Sequence, residues 1–298
     1  MKAIELIALY YYVCECYNEE LRWHCQRFSN NSLQEITDEE IITIYLYAMM
    51  YEDKCKLTQI HAYAKRYLLS WFPHLPAYAT FVTRLNRMSA VFPRLAANLL
   101  QKIDRQHVEE SISIVDSLPI MLCSAKRTGK VARKEIVDKG YCATKGIHYW
   151  GVKLHALCFS RPGKLPLPEC LELTSASEND LTAMRQRLEL LADRLVFADK
   201  AYADKAVQQV IQEQKSEILT PIKLVKGECA QVRQFKKAAD DLFSTAVSRI
   251  RQPIESFFNW LIEHYGLQNA SKVRSYNGLI IHIFGKIAAA LALWVFNP

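Results

Sequence analysis

Apolar residues change their spacing near residue 106. Up to that point they recur at helical intervals; beyond it they first alternate as in strands. In the helical part, Thr37-Asp38-Glu39-Glu40 supplies a cap and an acidic first turn ahead of Ile41-Ile42-Thr43-Ile44-Tyr45-Leu46-Tyr47. Thr58 is placed to cap a second helix running to about Trp71. Pro73 and Pro76 then punctuate the chain, with Pro76 suited to a helix start. In the helix that follows, Phe81, Leu85, Met88 and Val91 form an apolar stripe, and Thr80, Thr83, Arg84 and Arg87 lie largely off it.

The alternating part opens with Ser111–Ile120, where Ile112, Ile114, Asp116, Leu118 and Ile120 share a face. A basic, Gly-containing stretch over 124–146 reads as a loop. His148–Phe159 and Leu167–Thr174 read as strands, joined by Arg161-Pro162-Gly163-Lys164. Ser177-Glu178-Asn179-Asp180 resembles a capping box and opens a helix through Met184, Leu188 and Leu191. Then come a strand ending in Phe197-Ala198-Asp199, a helix near 203–214, a short strand at Glu217–Pro221 and a basic linker at 223–237. A helical region from about 245 to the end is interrupted near Gly266 and by Ser275–Gly278. The order predicts an α/β fold: a ribonuclease-H-like mixed sheet flanked by helices over 106–298, preceded by an all-helical domain over 1–105.

Two acids intrude on apolar rows. Asp116 continues the row of Ile112 and Ile114; Asp199 continues that of Leu195 and Phe197. A carboxylate in such a place is costly unless it is paired or holds a metal. Glu255 borders the stripe of Ile250, Ile254, Phe257, Phe258, Leu261 and Tyr265 on a late helix that can cross the sheet. Three converging carboxylates repel one another, and divalent cations resolve that repulsion. Oxygen donors favour Mg²⁺, with Mn²⁺ as substitute; two such ions serve phosphoryl transfer. Each acid also has a plain structural reading: Asp116 as a strand end before Ser117 and Pro119, Asp199 as a turn with Lys200, Glu255 as a partner of Arg251. Asp180 and Asp193 read as a cap acid and a helix-end acid.

Charge adds a partner to this picture. The formal net charge is +7, yet residues 1–60 carry ten acids against five Lys or Arg. From Lys126 to Lys164 ten basic residues face only Glu135 and Asp138, which suits a polyanion such as DNA; a solvated basic surface is the alternative. The helix displaying Thr80, Thr83, Arg84 and Arg87 after a turn suits a helix-turn-helix reader of DNA, against an ordinary amphipathic helix with a basic face. Nine cysteines without a CxxC pair predict buried thiols in a reduced, intracellular chain, including Cys14, Cys16 and Cys25 beside His24. The apolar run Leu279–Phe296 contains His282 and Lys286, which predicts a packed core helix and no membrane role.

The chain resembles the DDE transposases of bacterial insertion sequences, specifically the IS-nine-eighty-two group, a relative of the IS-four group. The matching residues are Val115-Asp-Ser-Leu-Pro-Ile120, Lys139-Gly-Tyr-Cys-Ala-Thr-Lys145, Tyr149-Trp-Gly-Val-Lys-Leu-His155 and Leu173-Thr-Ser-Ala-Ser-Glu-Asn-Asp180. They continue through Ala198-Asp-Lys-Ala-Tyr202, Arg251-Gln-Pro-Ile-Glu255 and Lys272-Val-Arg-Ser-Tyr-Asn-Gly-Leu279. The resemblance implies a catalytic, metal-binding triad of Asp116, Asp199 and Glu255, spaced by 83 and 56 residues. Ser248 and Ile262 stand where the related group's signature has Tyr and Lys, and Ala201 where a Gly is usual. The implied activity is Mg²⁺-dependent cutting and joining of the element's own ends, in the cytoplasm at the bacterial nucleoid, by a homodimer or larger synaptic complex. Arg84, Arg87, Lys126, Arg127, Lys145, Lys153 and Arg251 are the expected DNA contacts. The rival readings are a repurposed or inactive DNA-binding protein of the same fold and a nuclease without strand transfer.

Overall fold

The computed structural model describes residues 3–25, 34–126, 135–223 and 230–297, with side chains from 234 onward in the last stretch. Two compact units emerge. One takes in the chain up to Asp104, Lys130–Glu135 and again from Trp260; the other takes in Arg105–Gly129 and Ile136–Asn259. The sequence reading placed everything after 106 together, whereas the last residues cluster with the N-terminal helices.

The first unit is helical: α1 (Ala3–Glu19), α2 (Asp38–Glu52), α3 (Leu57–Tyr63), α4 (Tyr78–Arg87) and α5 (Val91–Lys102). Thr37 caps α2 as expected, in a reciprocal capping box with Glu40. From Ile41 to Met50 every residue of α2 is buried, because the helix is apolar all round and forms the core of its unit. Lys56, not Thr58, precedes α3, which continues as a wider-pitch turn over Ala64–Leu68. The stripe of Phe81, Leu85, Met88 and Val91 is fully buried.

The same unit ends in a helical run from Tyr276 to Phe296: α9 (Tyr276–Ile280), a wider turn at Ile281–Gly285, and α10 (Lys286–Phe296). This run is long and apolar enough to cross a membrane, and 67% of it is buried inside the chain. The buried Tyr45 hydroxyl donates to the Ile281 carbonyl at 3.0 Å. Gly266, at φ +60°, closes the preceding helix, and the turn is pinned from the last helices: Lys286 Nζ donates to the Gly266 carbonyl and His282 Nε2 to that of Leu267.

The second unit is a curled mixed sheet with helices. Its strands are β1 (Glu109–Ser124), β2 (Asp138–Cys142), β3 (Ile147–Ser160), β4 (Leu167–Ser175), β5 (Leu195–Phe197) and β6 (Glu217–Leu219). β1 pairs antiparallel with β3 on one side and parallel with β5 on the other, and β5 pairs parallel with β6. The far edge of β3 is shared: β2 takes Ile147–Gly151 and β4 takes Val152–Phe159. β2 lies inside the stretch read as a loop. Its Asp138-Lys139-Gly140 start carries no apolar alternation, and only pairing with β3 makes it a strand.

Helices α6 (Asp180–Arg185) and α7 (Lys205–Glu213) pack on one face against Val115, Leu157, Val196 and Ile218. Asn179, rather than Ser177, caps α6, accepting from the Leu181 N–H at 3.0 Å. The last element, α8 (Ala230–Tyr265), spans 36 residues with Pro253 inside it. It begins within the stretch read as a basic linker and buries Ile254, Phe257 and Phe258.

Candidate active site

Asp116 lies in β1, and Asp199 follows directly where β5 gives out. The β1–β5 ladder pairs Ile112 with Leu195, Ser113 with Val196 and Ile114 with Phe197. The ladder ends there, and its direction leads Asp116 and Asp199 towards the same end of the β1–β5 pair. The Asp199 charge acts on Asp116, pushing its carboxyl upward. Asp199 is exposed and caps a tight turn, Lys200–Tyr202, accepting from the Lys200 N–H at 2.7 Å. Ala201 is absent from the described non-glycine residues at positive φ, which are Asp53, His107, Asp193 and Lys215. This turn therefore places no demand on Ala201 that only glycine meets.

Glu255 comes from α8. Arg251, one turn earlier, donates through one guanidinium nitrogen to Glu255 and through the other to Asp116 Oδ2 at 2.6 Å. The Asp116 Oδ1 accepts from the Ser117 N–H at 2.8 Å. Burial raises the Asp116 carboxyl to about 6; Arg251 and the Ser117 N–H pull it down, and Asp199 and Glu255 push it further up. Asp116 thus senses both of the other sequence-predicted acids.

The donor chemistry fits a hard divalent cation, since every available ligand is a carboxylate oxygen. As they stand, no three or more His, Cys, Asp or Glu among the described residues are grouped to hold a metal ion. The positive fork of Arg251 occupies Asp116 and Glu255. A cation held by Asp116, Asp199 and Glu255 would have to take over at least one of those oxygens.

The expected DNA contacts separate into different groups. Arg251, as described, bridges acids. Arg84 is a correction: it is only 8% exposed, with Nε on Asp38 Oδ1 at 2.7 Å and Nη2 on both Asp38 Oδ2 and the Cys25 carbonyl. A guanidinium buried and committed through Nε and Nη2 to Asp38 and Cys25 serves to hold its own unit together. Arg87 is exposed on α4, beside exposed Thr80 and Thr83. Lys126 and Lys145 are exposed, just past β1 and in the turn between β2 and β3. Arg127 lies outside the described residues. Lys153 is half-buried, its Nζ donating to the Glu178 carbonyl at 2.8 Å and to Asp180 Oδ1 at 3.0 Å.

Asp180 is therefore more than the cap acid it resembles. Beside Lys153 it accepts from the Ser117 hydroxyl at 3.1 Å, and Ser117 is the chain neighbour of Asp116. His155 stands opposite Ser117 in the β1–β3 ladder, 2.8 Å from the Thr174 hydroxyl, and burial holds its imidazole below the ordinary range. The signal was present in the alternation: Lys153 and His155 are two apart on one strand face, polar residues in an otherwise apolar row.

The family described as Transposase DDE domain matches residues 107–293. No curated protein matches the chain. Among solved structures, the Mos1 transposase paired-end complex with left transposon end is 12% identical, covering 81% of this chain and 84% of that one at a TM-score of 0.23. A pre-cleavage Mos1 transpososome is 13% identical, covering 94% and 87%, at 0.20. Likeness this slight carries no weight for the site or its chemistry.

Proposed function

The chain belongs to the Transposase DDE domain family, and from that premise we propose that it cuts and joins the DNA ends of its own insertion sequence. The observation supporting this reading is that Asp116 feels the charges of both Asp199 and Glu255, with Glu255 tied to it through Arg251. The strand order, antiparallel β4-β3-β1 followed by parallel β5 and β6, supports a ribonuclease-H-like sheet as the carrier of these acids.

In this reading Asp116, Asp199 and Glu255 hold Mg²⁺, or Mn²⁺ in its place. Bound there, two ions supply charge neutralisation for attacking and leaving oxygens. Water attacks a phosphorus at the element's end and gives up a proton, the P–O3′ bond breaks, and the departing 3′ oxygen takes up a proton to become a 3′-OH. That 3′-OH then attacks a target phosphodiester, forming a new P–O bond and displacing the target's own 3′ oxygen. Arg251, released from its acids, is placed to meet a phosphate. Arg87, Lys126, Lys145 and the basic stretch around them follow the DNA backbone. The protein acts on DNA in the bacterial cytoplasm, as a member of the IS-nine-eighty-two group.

The test is cleavage of a fragment carrying the flanking repeats, with Mg²⁺ and with chelator. Asp116→Asn, Asp199→Asn and Glu255→Gln are each expected to abolish nicking while gel shifts persist. Full activity in any variant removes that residue from the site. A gel shift without nicks under all conditions identifies a DNA-binding protein. Nicks without joining of a pre-cut 3′-OH end identify a plain nuclease.

A further inference from the structure

Ser117 connects the two faces of the sheet. Its N–H donates to Asp116 Oδ1 at 2.8 Å, while its side chain, pointing to the opposite face, donates from Oγ to Asp180 Oδ1 at 3.1 Å. That same Asp180 oxygen accepts from Lys153 Nζ at 3.0 Å, and Lys153 also donates to the Glu178 carbonyl at 2.8 Å. Asp180 is the first residue of α6, but Asn179 supplies the cap of that helix, and the Asp180 carboxylate reaches the sheet instead. β1 gains a hold where it has lost one. Its ladder to β5 ends at Ile114, so among the described residues Asp116 and Ser117 pair only with Ala156 and His155 of β3.

We infer that Asp180 is a positioning residue for Asp116 and acts through Ser117. Lys153 clamps Asp180, Asp180 holds the Ser117 side chain, and the Ser117 N–H so fixed keeps hold of Asp116 Oδ1. The inference rests on the proposed function, in which Asp116 holds a divalent cation. Arg251 grips Asp116 through Oδ2, so a cation competing with Arg251 meets a carboxylate whose other oxygen is already held. A carboxylate kept in one orientation binds a cation more tightly than one that must first be ordered. Asp180 is not a fourth ligand. The Asp116 and Ser117 side chains project to opposite faces, and the Asp180 oxygen that reaches Ser117 is paired with the Lys153 ammonium.

The test is Mn²⁺ binding by the full chain without DNA, followed as loss of the free ion's electron paramagnetic resonance signal. Ser117→Ala and Asp180→Ala are each expected to weaken binding about tenfold or more. The double variant is expected to be no weaker than either alone, because both side chains belong to one connected chain of hydrogen bonds. Asp180→Asn, which keeps an oxygen for the Ser117 hydroxyl, is expected to retain most of the affinity. A role as ligand or bare charge would leave it as weak as Asp180→Ala and overturns the inference. A purely structural role would lower the Tm in chelator with Mn²⁺ affinity unchanged, and also overturns it. So does a double variant whose loss is the product of the two single losses. Should Asp180→Ala fail to fold, Ser117→Ala, which deletes one half-buried oxygen, decides alone. Asp116→Asn separates the two readings. Binding lost in Asp116→Asn but kept in Ser117→Ala overturns this inference only. Binding that Asp116→Asn leaves unchanged, or a chain that takes up no Mn²⁺, overturns the catalytic reading and this inference with it.

Discussion

Arg251 and Arg84 show how one residue type reaches opposite ends. Both pair with aspartate, but Arg84 is sealed inside a helical unit whereas Arg251 sits at a cluster of acids open to solvent at Asp199. Arg84→Met removes one partner of a buried pair and is expected to cost about 3–5 kcal/mol, read by urea denaturation. Arg84→Lys loses the fork and the Cys25 carbonyl together and should fail to rescue it. An unchanged midpoint in both variants would contradict this role. Arg251→Ala leaves Asp116 and Glu255 without their shared cation. In chelator it is expected to lose about 1–3 kcal/mol, and Mg²⁺ should then raise its Tm more than that of the unaltered chain. Equal responses to Mg²⁺ would argue against metal replacing Arg251 at these oxygens. Asp116 and Asp199 were legible in the sequence because each breaks an apolar row. The burial of Arg84 was not, since its partner Asp38 lies 46 residues away in sequence and periodicity is silent about such pairs.

At the scale of elements, the strands with apolar alternation, β1, β3, β4 and β5, were read from the chain, while β2 was missed because β3 rather than its own pattern makes it a strand. Gly151 shows what that arrangement demands: a Cβ there would lie 2.0 Å from the Ile120 carbonyl oxygen. Gly151→Ala is expected to cost about 1–3 kcal/mol or more through forced separation of β1 and β3, seen as a lower Tm. The turn closing α8 carries a pH dependence. Burial, with Lys286 beside it, lowers the His282 imidazole to about 3, against roughly 6.5 when unfolded. The unfolded chain thus takes up the proton first. This contribution is intact above pH 6.5 and is lost as pH falls from there towards 3. His282→Gln, which keeps a donor near the Leu267 carbonyl, is expected to flatten the acid limb of a stability–pH curve. An identical limb would place the titration elsewhere.

For the molecule as a whole, periodicity separates helical from strand-bearing stretches, and the final helices cluster with the first unit. Hydrophobic periodicity identifies a buried helix without saying which unit buries it. The charge of +7, uneven along the chain, leads to an expectation of its own: DNA affinity should fall steeply with salt, with log K declining linearly against log salt concentration. A flat salt response would remove the backbone-tracking role from the basic stretch. Pro253 has a last consequence. It has no amide hydrogen, so the Arg249 carbonyl lacks its rung in the ladder of a 36-residue rod. The weak section falls between Arg251 and Glu255, and a rod flexes where a rung is missing. Bending of the rod is therefore concentrated at the spot where one guanidinium grips carboxylates on either side, Asp116 from the sheet and Glu255 from the same helix. Restoring the rung with Pro253→Ala should slow amide hydrogen exchange on both sides of it.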